Sequence, residues 1–208
     1  MIFANIDGPN GVGKTSVINA VTDLLREKSN ISTYAIHFHR RNTSIGTLIQ
    51  QILNGDIKMS SETLQMLYSA DRLDFTKNEY KRLKENDQLK ILISDRYITS
   101  GIVYGMSDGL SFDTLRKYDE HCSKPDINII LTAPVDVLIE RLKNQKLNTN
   151  ETGDIFETYE SLTKVLNGYE TIQQYVSNVV YVDANRPLDE VVAEVFFILK
   201  TFRKGFIK

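Results

Sequence analysis

The chain has 208 residues but a single cysteine, Cys122, and no cluster of cysteines that could bind zinc. An internal disulfide is therefore excluded, which favours a reducing compartment, and we expect Cys122 to be a partly buried helix residue without a functional role. No apolar run approaches the length that spans a bilayer, and no signal-peptide pattern precedes the first apolar segment. We expect a cytoplasmic protein.

A surplus of one charge is lacking as well, because 25 basic residues are balanced by 27 acidic residues and the net charge is −2. Proteins that bind nucleic acid or anionic membranes usually carry a marked positive surplus. We therefore expect neither partner, although local cations could still bind a small anion. The chain has no internal repeat and no linker-like segment, so residues 1–208 are expected to form one domain with its own core.

Short apolar runs alternate with helical patterns along the whole chain. The strand-like runs lie at 2–6, 33–38, 90–94, 127–131 and 179–182, and helices are predicted between them, at about 44–54, 61–85 and up to 122 among others, with a last helix from 188. This alternation predicts an α/β fold in which helices cover both faces of a five-stranded parallel sheet. Ligands of such a sheet bind at the carboxyl ends of the strands.

The segment from Gly8 to Thr15 fits the phosphate-binding pattern G-x-x-x-x-G-K-[ST], and it lies between the first strand and an amphipathic helix. Glycines there let backbone N–H groups turn inward, and the helix N-terminus adds the positive end of its dipole. Lys14 can reach the outer phosphates, and the Thr15 hydroxyl can hold Mg²⁺. The residues expected to bind ATP in this segment are Gly8, Asn10, Gly11, Val12, Gly13, Lys14, Thr15 and Ser16.

Other parts of the sequence indicate which kind of phosphate-loop protein this is. A GTPase needs an Asn-Lys-x-Asp motif to read guanine, and this sequence has none. Basic residues instead follow two strands, with Arg40 and Arg41 after the second and Arg96 after the third, while Arg72 lies within a helix. A single arginine is usually a solvated surface residue, but several at strand ends indicate a second anion site beside the first.

Four segments resemble the thymidylate kinase family, and the resemblance covers almost the entire chain. They are Asp95-Arg96-Tyr97 with Ser100 and Tyr104 beyond it, the segment from Leu67 to Arg72, the segment from Phe38 to Thr43, and the loop from Asp183 to Pro187. The resemblance implies a three-layer P-loop NTPase fold with a short lid at about 143–157. It also implies Mg²⁺-dependent transfer of a phosphoryl group from ATP to thymidine monophosphate (dTMP), and a homodimer.

The resemblance implies roles for residues around the acceptor base and sugar. Tyr68 would stack on the pyrimidine, and Arg72 would donate hydrogen bonds to a base carbonyl. Tyr104 would lie against the sugar and could crowd out a 2′-hydroxyl, and Ser100 belongs to the same substrate-binding set. Tyr68 could instead be a core aromatic residue, and Arg72 an exposed surface residue.

The phosphates would be held by a second set of residues. Arg41 and Arg96 would bind the acceptor phosphate, because planar guanidinium groups fit paired oxygens. Asp95 would orient Mg²⁺ through water, so that Lys14, Arg96 and Asp95 form the predicted catalytic set. Arg96 could instead form a structural salt bridge, and Asp95 could cap the following turn. The resemblance places Asn185 and Arg186 over the adenine of ATP.

The chain departs from the family pattern at three places. His39 stands where many relatives have proline, and residues 154–157 lack the arginine of the usual lid sequence. Asn10 replaces an Asp or Glu that contacts the sugar and helps to place an arginine of the acceptor site. The available lid cations are Arg141, Lys143 and Lys146. Alternatives therefore stay open: a kinase of another nucleotide or of a deoxynucleoside, or a catalytically weak nucleotide-binding protein of the same fold.

Overall fold

The computed structural model describes residues 1–149, 158–203 and 205. The strands are β1 (Ile2–Asp7), β2 (Thr33–His37), β3 (Ile91–Asp95), β4 (Ile127–Thr132) and β5 (Val179–Asp183). They form one parallel sheet in the order β2-β3-β1-β4-β5. The predicted α/β fold with a five-stranded parallel sheet is confirmed.

Helices cover both faces of this sheet. They are α1 (Lys14–Ser29), α2 (Ser44–Leu53), α3 (Ser61–Asp74), α4 (Lys81–Lys84), α5 (Ile98–Ser107), α6 (Phe112–Tyr118), α7 (Val135–Thr149), α8 (Tyr159–Thr171) and α9 (Leu188–Arg203). A π-helical segment, Phe75–Tyr80, joins α3 to α4, and a 3-10 turn, Ile172–Gln174, follows α8. Among the described residues, no helix is long and apolar enough to cross a membrane.

The two faces of the sheet bury two separate apolar clusters. Ala4 and Ile6 of β1 pack with residues of α1 and α9 on one face, whereas Phe3 packs with residues of α5 and α8 on the other. Because side chains of a strand alternate between faces, Asn5 and Asp7 belong to the face of Phe3. The last residue of β1 is therefore a buried carboxylate that points toward α5 and α8.

Two helical predictions need correction. The region up to 122 contains two helices rather than one, because Gly109, with φ of 92°, follows α5 in the left-handed region that favours glycine. The first part of the expected lid, residues 143–149, belongs to helix α7, since its Lys, Gln and Leu residues are good helix formers. Of the predicted lid at 143–157, residues 150–157 lie outside the described residues.

Candidate active site

The glycines of the phosphate loop adopt backbone conformations that other residues rarely reach. Gly8, Gly11 and Gly13 have φ of 145°, 78° and 96°. A Cβ atom on Gly8 would also lie 2.3 Å from the carbonyl oxygen of Leu131 on β4. The glycine pattern is therefore required by the turn between β1 and α1, and that turn directs the loop backbone toward an anion site at the N-terminus of α1.

The Lys14 side chain folds back over the phosphate loop. Its ammonium donates hydrogen bonds to the carbonyl oxygens of Gly8 at 3.0 Å and Pro9 at 2.8 Å, and the residue is 7% exposed. The charge is thus held at the entrance of the loop by weak, neutral acceptors. A phosphate oxygen is a stronger acceptor for the same N–H groups.

Asp95 ends β3 next to the phosphate loop. Its Oδ2 atom accepts a hydrogen bond from Thr15 Oγ1 at 3.1 Å and lies 3.2 Å from His37 Nδ1. Its Oδ1 atom is buried and has no hydrogen-bond partner among the described residues. Burial alone would raise the pKa of Asp95, but the contact with His37 and the charge of Lys14 hold it below its ordinary value. The site therefore offers an ionised carboxylate with a spare oxygen beside a hydroxyl, which fits a hard cation such as Mg²⁺.

The bonds of Asp95 join two strands and α1, so they do not support the alternative in which Asp95 only caps a turn. His37 was missed by the sequence prediction. The available signal was its place near the carboxyl end of the second predicted strand, the edge at which ligands bind. The structure pairs His37 with Asp95 of the neighbouring strand β3.

Arg96 connects the phosphate loop to α5. Its Nη2 atom donates a short hydrogen bond to Asn10 Oδ1, and its Nη1 atom donates to Ser100 Oγ at 3.2 Å. Its guanidinium carbon lies 5.5 Å from the centre of the Tyr104 ring, a cation–π distance. The structure therefore brings three other predicted residues to the Arg96 guanidinium, Asn10 from the phosphate loop and Ser100 and Tyr104 from α5.

Asp7 is the counter-charge of Arg96, and the sequence prediction missed it. One of its carboxylate oxygens lies 4.0 Å from Arg96 Nη1. The residue is 0% exposed, and its carboxylate accepts hydrogen bonds from Ser100 Oγ and Tyr169 Oη, each at 2.7 Å, and a short one from Thr99. The available signal was a charged residue at the end of a largely apolar strand. The alternative of a structural salt bridge is met in part, because Arg96 lies near the buried carboxylate of Asp7. Its hydrogen bonds to Asn10 and Ser100 also hold the Arg96 guanidinium between the phosphate loop and α5.

The two arginines after β2 have opposite environments. Arg40 is 7% exposed and donates to Asp71 Oδ1 at 2.9 Å and to Asp74 Oδ2 at 2.6 Å. Arg41 is exposed and lines an open cavity of about 350 Å³ together with His37 and other residues of this loop. Arg40 therefore fastens the loop to α3, while the Arg41 side chain is available for a ligand.

Arg72 and Tyr68, the two residues of α3 that are predicted to contact the base, differ in burial: Arg72 is buried and Tyr68 is half-buried. Arg72 is 4% exposed and donates to both oxygens of Asp119 at 2.9 Å, so the alternative of an exposed arginine is wrong. Burial alone would lower the pKa of Arg72, but Asp119 raises it, which keeps the guanidinium charged. The Tyr68 ring is half-buried and lies 6.0 Å from the His39 ring, at the edge of the loop that carries Arg41.

The loop after β5 lies on the opposite side of the phosphate loop. Asn185 is exposed, and Arg186 forms a short ion pair with Glu194 of α9. Arg141 of α7 donates to the carbonyl oxygens of Val12 at 3.4 Å and Ala184 at 3.0 Å. Arg141 therefore connects the loop after β5 to the phosphate loop. Asn185 and Arg186 thus lie on the side of the phosphate loop where the base of a bound nucleotide could contact them.

The other candidate lid cations give less information. Lys143 is exposed on α7, whereas the Lys146 side chain and residues 154–157 lie outside the described residues. Ser16 is exposed on the first turn of α1. The lid at 143–157 stays a prediction.

Residues 6–195 match the profile of a family described as thymidylate kinase. The chain is 28% identical to a probable thymidylate kinase of Methanocaldococcus jannaschii over 200 residues, which cover 96% of each chain. It is 32% identical to a probable thymidylate kinase of Methanosphaera stadtmanae, over 93% of this chain and 94% of that protein. It is also 30% identical to a thymidylate kinase of Malacoplasma penetrans, over 93% of each chain. The expected family resemblance is confirmed.

Proposed function

The chain belongs to the thymidylate kinase family, and we propose that it transfers the γ-phosphoryl group of ATP to dTMP, giving the diphosphate. The observation that carries this proposal is the position of Arg96. Its guanidinium donates hydrogen bonds both to Asn10 of the phosphate loop and to Ser100 of α5. A cation at that point can contact the phosphate that leaves ATP and the phosphate that accepts it.

On the donor side, the N–H groups at the start of α1 and the Lys14 ammonium would bind the outer phosphates of ATP. Lys14 would exchange its bonds to the Gly8 and Pro9 carbonyls for bonds to phosphate oxygens. Thr15 and Asp95 would hold Mg²⁺, which when bound neutralises charge on the phosphates. The buried Oδ1 atom of Asp95, which has no hydrogen-bond partner in the described part of the chain, supports this assignment.

On the acceptor side, Arg41 and Arg96 would fix the phosphate of dTMP in line with the γ-phosphorus. An acceptor oxygen forms the new P–O bond while the bond to the β-phosphate oxygen breaks, and ADP leaves. Because the second pKa of a phosphate monoester is about 6, the acceptor is mostly a dianion at neutral pH and needs no general base. Arg96 would then stabilise the charge that spreads over the transferring group.

The base and sugar contacts follow from α3 and α5. Tyr68 would stack on the pyrimidine, and Arg72 would donate to a base carbonyl. Tyr104 would lie against the sugar, supported by its position against Arg96 at 5.5 Å. Asn185 and Arg186 would cover the adenine of ATP.

Several further assignments belong to the same proposal. We infer one domain with a lid at about 143–157, a cytoplasmic location, and a homodimer. The buried, unpaired thiol of Cys122 agrees with a reducing compartment. The homodimer rests on the family resemblance, and light scattering of the purified protein at assay concentration will test it.

A coupled assay tests the central proposal by following ADP release with Mg-ATP and each common nucleoside monophosphate, with thymidine as a nucleoside control. We expect the highest kcat/KM with dTMP. A higher value with another nucleotide or with thymidine would overturn the acceptor assignment. Tight ATP binding without turnover of any acceptor would instead favour the catalytically weak binding protein.

A further inference from the structure

Asp119 is a buried carboxylate that the proposed phosphoryl transfer does not use. It directly follows α6 and is 2% exposed. Its Oδ1 atom accepts from Arg72 Nε and its Oδ2 atom accepts from Arg72 Nη2, each at 2.9 Å. A two-point contact between a carboxylate and one edge of a guanidinium fixes the plane of the guanidinium as well as its position.

This contact decides which hydrogens of Arg72 remain for a ligand. Nη2 also donates to Ser69 Oγ at 3.1 Å, so Nε and Nη2 are both engaged. Nη1 has no hydrogen-bond acceptor in the part of the chain that the structure describes. Since a guanidinium edge offers donors and no acceptor, the Nη1 atom can bind only a group that accepts.

Gly101 leaves the space that this orientation needs. A Cβ atom added to Gly101 would lie 2.9 Å from Arg72 Nη2 and 3.3 Å from its Cζ atom, both closer than ordinary contacts. Gly101 lies on α5 between Ser100 and Tyr104, which belong to the proposed acceptor site. The guanidinium of Arg72 therefore lies against the helix that forms one wall of that site.

This inference rests on the proposed function. We propose that Asp119 is a positioning residue for base selection. It holds the Arg72 guanidinium in the space beside Gly101, so that Nη1 donates to an exocyclic carbonyl of the acceptor base. Thymine and uracil carry a carbonyl where cytosine carries an amino group. The amino group of cytosine would face Arg72 Nη1, and both groups are hydrogen-bond donors. The buried guanidinium would then lack a hydrogen bond from Nη1, which selects against cytosine.

Two variants test this positioning without removing Arg72. Asp119→Asn keeps the size of the side chain but replaces one accepting oxygen by an amide that donates, so one of the two contacts is lost. Gly101→Ala keeps every charge and every hydrogen-bond partner, and alanine favours the helix, yet its Cβ displaces the guanidinium. We expect each variant to lower the ratio of kcat/KM for dTMP to that for deoxycytidine monophosphate by about tenfold or more.

Gly105→Ala is the matched control. It lies one turn further along α5, where an added Cβ would lie 2.5 Å from Leu115 Cδ2 and not near Arg72. We expect it to lower the melting temperature while the ratio between the two substrates stays at the wild-type value. Loss of stability and loss of base selection are thereby separated on one helix.

The positioning role is overturned if both Asp119→Asn and Gly101→Ala keep the wild-type ratio, even if they slow both substrates alike. If Asp119→Asn does not fold, Gly101→Ala decides alone. A wild-type protein that does not phosphorylate dTMP would overturn the proposed function, which is a separate result. The ratio of dissociation constants of the same two nucleotides, measured by calorimetry for each protein, then still decides whether Asp119 and Gly101 set base selection.

Discussion

The donor and acceptor sides of the cleft are held together by different means. The donor side is a continuous loop whose shape comes from glycine backbone angles and whose lysine contacts neighbouring carbonyls. The acceptor side depends on buried ion pairs between distant segments, with Arg40 bonded to Asp71 and Arg72 bonded to Asp119. Removing a side chain should therefore affect mainly the rate on the donor side, but often the fold on the acceptor side.

The adjacent residues Arg40 and Arg41 give the largest expected contrast within the acceptor side. Arg40→Ala would leave Asp71, which is 0% exposed, without its cation, so we expect the free energy of unfolding to fall by about 3–5 kcal/mol. Arg41→Ala removes an exposed side chain and should change that free energy by no more than about 0.5 kcal/mol. Urea unfolding followed by circular dichroism measures both values.

Arg41→Ala should nevertheless raise KM for dTMP, because its guanidinium is available to the acceptor phosphate. Equal losses of stability in the two variants would show that the Arg40 pair does not fasten this loop. An unchanged KM in Arg41→Ala would remove Arg41 from the acceptor site.

Lys14→Ala should give the next largest effect, and on the rate rather than the fold. The ammonium would meet charge that grows on the phosphate oxygens during transfer, and loss of one preorganised contact of this kind costs about 10² to 10³ in turnover. We expect kcat to fall by this factor, with a smaller loss of stability than in Arg40→Ala. Lys28→Ala, which removes an exposed lysine from the last turn of the same helix, is the control.

A folded Lys14→Ala protein with kcat like that of wild type or of Lys28→Ala would contradict the phosphate-loop mechanism. The same measurement also sharpens the contrast between the two sides. If Lys14→Ala lost as much stability as Arg40→Ala, the donor side would depend on side-chain pairing too.

The difference between the sides also explains what could be predicted from the sequence. The phosphate loop is contiguous, so its residues and its place between β1 and α1 were visible in the pattern of glycines and apolar residues. Strand positions were predictable for the same reason, because each strand is one short apolar run. The extension of α7 to Thr149 was not, since the Asn and Thr residues that alternate with its helix formers are also typical of loops.

The partners of the acceptor arginines could not be predicted from the sequence. Arg96 and Asp7 are 89 residues apart, and Arg72 and Asp119 are 47 apart, so only the fold brings them together. A buried carboxylate and an exposed one look alike in one sequence, which is why Asp7 and Asp119 were missed. The base-reading role of Arg72 was predicted only because a family motif contains this residue.

Arg72→Ala and Arg96→Ala should separate base reading from phosphate binding within the acceptor side. Arg96 lies between the phosphate loop and α5, so its removal should lower kcat/KM for every monophosphate by a similar factor, about tenfold or more. Arg72 lies against α5 beside the proposed base, so its removal should lower kcat/KM for dTMP more than for deoxycytidine monophosphate. The same substrate panel measures both, and equal losses for all bases in both variants would contradict the role of Arg72.

Asn10 joins the two sides, and its variants should give the smallest effects. Asn10 already accepts a hydrogen bond from Arg96, and Asp7 already supplies a charge 4.0 Å from that guanidinium. Asn10→Asp should strengthen the bond, because an ion pair with the guanidinium replaces a hydrogen bond from the guanidinium to a neutral amide. The added charge also approaches the phosphates of ATP, so we expect kcat/KM for dTMP to rise by no more than about fivefold.

Asn10→Ala removes the acceptor and should lower the same constant, which gives the order Asp, Asn, Ala at saturating Mg-ATP. Circular dichroism of each variant checks that the fold is kept. A clear fall in Asn10→Asp would mean that this position requires a neutral side chain, because a second carboxylate beside Asp7 would draw Arg96 away from the acceptor phosphate. The amide would then be fitted to a different acceptor arrangement, and the assignment would move from dTMP toward another nucleotide.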